Sequence, residues 1–242
     1  MSNQTTFKEI ELETESYNRW VAERASADEK KPSHFITLSR EFGCDGFPVA
    51  LKLNELLAEK YPESSWFVFS RATLEKVIAD DELGAELIHE ITETRYSFVK
   101  WFFDGIVPEY IQSPHLQVFE RLRTLILNLA AKGNAIFVGG GGQVITNRLI
   151  SSRFRGIHVR IIGSHEFKIR NIMKKFNLNR GDAENQLKEK QSARDKFIQD
   201  FTWQTANDDS LYHLIINNQW NDTEIIAKTI LNYMELLGFF EA

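Results

Sequence analysis

The sequence has little of what marks several large classes of protein. Among its 242 residues there is one cysteine, Cys44, so no internal disulfide can form, which favours a reducing compartment. No apolar run reaches the length of about 18 residues that predicts a membrane-spanning helix. The formal net charge is -5, without the basic excess that a general grip on nucleic acid requires. We therefore expect a cytoplasmic protein that binds neither membranes nor nucleic acid.

The composition that remains is that of a globular chain. It is 43% hydrophobic and 26% charged, and it is long enough to bury a sizeable core. Residues 1–33 predict a helix over 7–25 followed by a polar linker, and the polar, acidic start does not resemble a signal peptide. We expect the main domain at residues 34–242.

Short apolar segments alternate with helical patterns from residue 34 onward. The predicted strands cover residues 35–39, 66–69, 135–138, 156–162 and 212–216. The predicted helices cover residues 49–61, 115–132, 164–176, 181–203 and 223–237. Because strands separated by helices form parallel sheets through right-handed crossovers, we expect a three-layer α/β fold with five parallel strands. A helical insertion over about 70–115 would lie on the substrate side, and the helices over about 164–203 would form a lid.

The segment after the first predicted strand contains glycines that let the backbone curl. Gly43 and Gly46 allow several N–H groups to point at one anion, and Pro48 suits the first turn of a helix. The dipole of that helix adds attraction for phosphate, which makes Gly43, Cys44, Asp45, Gly46 and Phe47 candidate cofactor-binding residues. A tight turn that needs glycine for its geometry alone explains the same spacing.

This segment lacks the charged parts of a full phosphate-binding loop. The pattern G-x-x-x-x-G-K-[ST] places a lysine at the β- and γ-phosphates and a hydroxyl at Mg²⁺. Aligned on Gly46, those two positions hold Phe47 and Pro48. Arg40, which directly follows the strand, is a candidate to reach the phosphate instead, or it pairs with Glu41 or another carboxylate.

A second glycine run follows the third predicted strand. Gly139, Gly140 and Gly141 would let the main chain approach a substrate closely, although a flexible surface loop is the alternative. No metal-ligand spacing connects the six histidines, and we predict no metal site in the protein itself.

Four further arginines are candidates for contacts with phosphate. Arg170 borders the apolar positions of its helix, and Arg194 lies in register with apolar residues of the next helix, so each is a candidate catalytic residue. A salt bridge to a carboxylate of the protein is the alternative for both. Arg71 and Arg95 lie in the predicted insertion, where either could hold the phosphate of a monophosphate substrate.

Six motifs occur in the order and spacing of one known family. Residues 38–47 read L-S-R-E-F-G-C-D-G-F, which is similar to the loop I-S-R-E-[YF]-G-x-G-G-R, and residues 138–142 are similar to V-G-R-G-A. The remaining motifs lie at residues 158–161, 165–170, 191–198 and 212–217. Over roughly 34–237 the chain thus resembles the cytidylate-kinase-like family of P-loop kinases.

The resemblance implies a nucleoside-kinase-like sheet with strand order 2-3-1-4-5. It also implies transfer of the γ-phosphoryl group of ATP, with Mg²⁺, to a nucleoside monophosphate, expected to be a pyrimidine one. Four positions depart from the family pattern, and each loses a charged residue: Phe47, Gly140, Gln191 and His213. The alternative is therefore a catalytically degenerate member that senses a nucleotide, binds a protein partner or forms a homo-oligomer.

Overall fold

The computed structural model describes residues 32–70, 73–74, 114–151, 153–202, 205 and 207–241. The helix predicted at 7–25 lies outside the described residues, as does nearly all of the predicted insertion, including Arg71 and Arg95. No helix in the described part of the chain is both long enough and apolar enough to cross a membrane.

The described residues form one parallel sheet covered by helices. Its strands are β1 (Ser33–Arg40), β2 (Phe67–Ser70), β3 (Ala135–Val138), β4 (Phe154–Ile162) and β5 (Leu214–Asn217). The helices are α1 (Gly46–Lys60), α2 (Pro114–Lys132), α3 (Gly142–Thr146), α4 (His165–Phe176), α5 (Arg180–Thr202) and α6 (Thr223–Leu236), with 3-10 turns at Asn147–Leu149 and Asp209–Leu211. Every strand pairing is parallel, and the strand order β2-β3-β1-β4-β5 confirms the predicted fold.

The central strand β1 is buried on both faces over residues 35–38, as expected for a strand in the middle of a parallel sheet covered by helices. Alternate side chains leave the strand on opposite sides. Phe35 packs with Phe69 and Phe137 in the apolar layer under α2. Ile36 packs in the layer under α1 and α6, where Leu53 and Ile230 are fully buried. The sheet therefore holds the carboxyl ends of its strands in fixed relative positions.

Several strand boundaries differ from the prediction by one or two residues. β4 begins at Phe154, two residues earlier than expected, and pairs with every residue of β1 from Ser33 to Arg40. β5 begins at Leu214 and not at Tyr212, because the preceding 3-10 turn uses the Tyr212 N–H in a 3.2 Å bond to the Asp209 carbonyl. A local turn has therefore displaced the expected start of the strand.

Helices α4 and α5 form a hairpin beyond the sheet. Ser164 caps α4 by accepting a 3.3 Å hydrogen bond from the Phe167 N–H, and Asn177 ends the helix in the left-handed conformation. The two helices share a small apolar cluster that includes Ile169, Ile172 and Leu187. This hairpin is the part of the structure predicted as a lid, and it lies next to the loop after β1.

Candidate functional site

The loop between β1 and α1, residues 41–45, is held by hydrogen bonds within the protein. The Phe42 N–H donates to the Gln191 Oε1 at 2.8 Å, and the Asp45 N–H donates to the Asn218 Oδ1 at 2.9 Å. The Cys44 N–H donates to the Glu41 carbonyl at 3.2 Å. A phosphate can use these three donors only by replacing their present acceptors.

Gly43 is glycine because α4 lies against it. Its φ is +93°, and a Cβ there would lie 2.9 Å from both the Cα and the carbonyl oxygen of Lys168. The Gly43 carbonyl also accepts a 3.0 Å hydrogen bond from the Asn171 Nδ2. The geometric explanation of this glycine is therefore sufficient, and its predicted contact with a cofactor stays a prediction.

The Cys44 thiol is poorly suited to nucleophilic chemistry. Burial raises its pKa to about 12, and the nearby negative charge of Glu41 acts in the same direction. The thiolate is the reactive form, so this environment favours a small packing residue over a reactive one.

Glu41 connects the loop to two other elements. Its carboxylate accepts a 2.8 Å hydrogen bond from the Lys168 Nζ on α4 and lies 3.6 Å from the Arg160 Nη2 on β4. It also accepts a 3.3 Å bond from the Gly163 N–H. Sequence reasoning missed Arg160 and Lys168, because their pairing depends on how β4 and α4 lie beside the loop.

The glycine turn after β3 has the backbone that its sequence suggests. Gly139, Gly140 and Gly141 have φ values of +79°, +68° and +74°, a region that favours glycine. A Cβ on Gly139 would overlap the Arg40 guanidinium, whose Cζ would be 3.0 Å away, whereas a Cβ on Gly141 would meet nothing within 4 Å. The turn therefore makes room for Arg40 at one glycine and faces open space at another.

Two clefts meet beside this turn. The first, here called the strand-end cleft, has a volume of about 330 Å³ and lies between the ends of β1 and β3 and helix α5. The second, here called the loop cleft, has a volume of about 520 Å³ and lies between the loop 41–45 with the first turn of α1 and the end of α4. Arg40 and Arg194 line both clefts. The site therefore has two compartments with guanidinium groups at their junction.

The strand-end cleft has a polar wall. The Gln143 Nε2 donates a 3.1 Å hydrogen bond to the Tyr212 hydroxyl, which lies 3.4 Å from the Ser39 Oγ. Ser39 and Gln143 line the cleft together with Gly139, Gly140 and Gly141. The structure thus brings the glycines predicted to bind substrate into one compartment with polar side chains that the sequence did not indicate.

The two arginines predicted on the helices of the hairpin, Arg194 on α5 and Arg170 on α4, differ in their placement. Gln191 and Arg194 line the strand-end cleft, as their register with buried Leu187 and Ile198 predicts. The Arg194 Cζ lies 5.1 Å from the centre of the Phe42 ring, within the range of a cation–π contact.

Arg170 lies on the exposed side of α4. Its side chain is exposed, because the buried face of α4 is formed by Ile169 and Ile172. Arg170 follows Ile169 by one position, about 100° around the helix. Arg170 is also absent from the residues that line the two clefts. Its catalytic role stays a prediction that this placement does not support.

The four positions that depart from the family pattern have other roles here. Phe47, at the position of the lysine, packs against the apolar layer under α1. The Gln191 Oε1 accepts the hydrogen bond from the Phe42 N–H of the loop 41–45, and Gly140 belongs to the glycine turn after β3. The His213 Nδ1 accepts a 3.0 Å hydrogen bond from the His158 N–H.

His158 itself is buried in the centre of the sheet. Its Nδ1 lies 2.8 Å from the Thr37 Oγ1. Burial, with a smaller contribution from His213, lowers its pKa to about 3. His158 is therefore a neutral structural group at neutral pH.

Within the described ranges, no three histidine, cysteine or acidic side chains are grouped so that they could hold a metal ion.

The parallel sheet, the loop after β1 and the paired clefts define a class of α/β proteins whose ligand sites lie at the carboxyl ends of the strands. Within that class, residues 35–219 match the sequence profile of the cytidylate kinase-like family, so the chain belongs to that family. A comparison with curated proteins found no match.

One solved structure of similar fold supports the architecture. An uncharacterized protein from Eubacterium ventriosum ATCC 27560 matches with a TM-score of 0.61 and 21% identity, over 84% of this chain and 98% of that one. At that identity the likeness shows the fold alone. A shikimate kinase from Bacteroides thetaiotaomicron also matches, with a TM-score of 0.42 and 15% identity, over 84% of this chain and 98% of that one.

Proposed function

We propose that this protein transfers a phosphoryl group from ATP, bound at the loop cleft, to a nucleoside monophosphate in the strand-end cleft. The observation that carries the proposal is that Arg40 and Arg194 line both clefts. A group passing from one compartment to the other would move between guanidinium groups, which suit the spread negative charge of a transferred phosphoryl group. Membership of the family supports an acceptor of this class, with a pyrimidine base as the expectation.

The proposal assigns charge compensation to arginine where the full loop motif uses lysine. Arg40 is the last residue of β1, and its side chain runs beside Gly46 toward Gly139. Lys174 and Lys175 on α4 add positive charge along the loop cleft. Phosphoryl transfer depends chiefly on positioning and on such charge, so these residues could supply what Phe47 cannot.

Mg²⁺ would enter with ATP and be held mainly by phosphate oxygens and water. Phe47 and Pro48 offer the ion no side-chain oxygen. The Asp45 carboxylate lines the loop cleft and makes no capping hydrogen bond to α1, so it is the acidic group of this loop that fits the ion or its water shell. This donor set suits a nucleotide-borne ion and not a resident metal.

A coupled ADP-release assay with CMP, dCMP, UMP and AMP as acceptors tests the transfer. Removing a charge-stabilising donor typically lowers the rate by about 10²–10³-fold, so we expect such losses for Arg40→Ala and for Arg194→Ala. Arg180→Ala is the matched control, because Arg180 is an exposed arginine that pairs with Glu166. Wild-type turnover no higher than that of the Arg40/Arg194 double variant would overturn the proposal of transfer.

A second candidate is a protein that binds the nucleotide without turning it over, as a sensing or protein-interaction module. The loss of charged residues at Phe47, Gly140 and Gln191 favours it, because phosphoryl transfer depends on charge compensation at such positions. Calorimetric titration with Mg-ATP separates the two candidates. Binding without ADP release would establish the second, and no binding would rule out both.

A further inference from the structure

Two phenylalanine rings face each other in the loop cleft. Phe42 lies in the loop after β1 and Phe176 is the last residue of α4. Their ring centres are 6.3 Å apart and their planes differ by 14°, so the rings are nearly parallel. Both rings line the cleft of about 520 Å³.

The two rings are held differently. Phe42 is half-buried and packs against the apolar cluster shared by α4 and α5. Phe176 is 44% exposed, although burial would normally stabilise a ring of this size. Asn177, in the left-handed conformation, ends α4 directly after it. The cleft therefore combines an anchored ring with a second ring that has apolar surface available.

Each ring also lies beside a cation. The Arg194 Cζ lies 5.1 Å from the Phe42 ring centre, and the Lys175 Nζ lies 5.9 Å from the Phe176 ring centre. A ligand that fits this surface has a flat apolar face and carries negative charge close to it. A nucleobase joined to phosphates has both properties.

We infer that Phe42 and Phe176 form a stacking platform for the base of the nucleotide whose phosphates lie at the loop, an inference that rests on the proposed function. Stacking uses the face of a base and not its edge, so the platform accepts purines of either kind. The phosphates would extend from it toward Lys174, Lys175 and Arg40, which line the same cleft. The site for the nucleotide that donates the phosphoryl group therefore accepts adenine and guanine alike.

Calorimetric titration of the full chain with Mg-ATP, Mg-GTP and inorganic tripolyphosphate tests the platform. We expect wild-type protein to bind ATP and GTP with affinities within about threefold of each other. Phe176→Ala should weaken both by about tenfold or more, the size of one base–aromatic stack, and leave tripolyphosphate within about twofold. Phe176→Trp should restore nucleotide binding.

Leu51→Ala is the matched control. Leu51 is 49% exposed on α1 and does not line the loop cleft, so its truncation should leave all three affinities unchanged. Unchanged ATP affinity in Phe176→Ala would overturn the platform and leave the proposed function standing. An equal loss for tripolyphosphate would overturn stacking, because that ligand has no base. Failure of wild-type protein to bind either nucleotide would overturn both the platform and the proposed function.

Discussion

Replacing Gly139 by alanine should separate the placement of Arg40 from the stability of the fold. Gly139 and Gly141 have nearly equal φ values, +79° and +74°, so alanine meets the same backbone strain at either position. An alanine Cβ at Gly139 would overlap the Arg40 guanidinium, but at Gly141 it would enter open space. The pair therefore forms a matched comparison in which only one variant moves Arg40.

The magnitudes follow from that geometry. An L-residue in the left-handed region is strained by about 1–2 kcal/mol. In a domain of this size, that strain lowers the melting temperature by about 2–8 °C in both variants. The overlap between an alanine Cβ at Gly139 and the Arg40 guanidinium adds little to this loss of stability, because the end of the flexible Arg40 side chain can move aside. The moved guanidinium no longer lies at the junction of the clefts, and losing a charge-assisted hydrogen bond weakens phosphate binding by about tenfold or more.

Thermal unfolding and calorimetric titration with Mg-ATP measure the two effects separately. Gly139→Ala and Gly141→Ala should melt within a few degrees of each other, while only Gly139→Ala should bind ATP more weakly. Gly141 does not line the loop cleft, so its variant should keep the wild-type affinity. Equal ATP affinity in the two variants would refute the reasoning that this glycine makes room for a phosphate-binding arginine.

Three further variants test the stability of the fold and the loop. Glu41→Gln should lower the free energy of unfolding in urea by about 1–3 kcal/mol, because two basic side chains lose their charged acceptor. Glu166→Gln, which alters an exposed ion pair, is its control and should change little. Leu53→Ala should lower the free energy of unfolding by about 2–5 kcal/mol, since its side chain is fully buried, whereas Leu51→Ala should stay within about 0.5 kcal/mol of wild type. Burial lowers the pKa of His158 in the folded protein to about 3. Between about pH 3 and about pH 6.5 the unfolded chain therefore binds more protons than the folded protein does. Stability should therefore be full above about pH 6.5 and fall by about 2 kcal/mol at pH 5, and His158→Asn should flatten this slope in urea unfolding curves.

Much of the architecture follows from local sequence patterns. The buried strand β3 is a short apolar run between Gly133 and Gly139, and Pro48 correctly indicated the first turn of α1. The start of β5 was misplaced, because a 3-10 turn before it satisfies the Tyr212 N–H without strand pairing. Periodicity describes the faces of an element well and its ends poorly, because the ends depend on such local hydrogen bonds.

The site was predictable where one helix face or one strand end decides the geometry. Gln191 and Arg194 follow from their spacing to buried Leu187, and Arg40 follows from its place at the end of β1. The contacts of Glu41 with Arg160 join residues more than a hundred positions apart, and no local pattern predicts their distance. Pairings of this kind depend on the order of the strands in the sheet.

Gly43 bears on how motifs in such chains are interpreted. Any side chain at this position would collide with the backbone of α4, so glycine is required whether or not a phosphate ever binds. A search pattern built around the loop would count this glycine as a sign of nucleotide binding in active and inactive proteins alike. Charged positions that make no such packing contact are therefore better markers for separating catalysts from silent relatives.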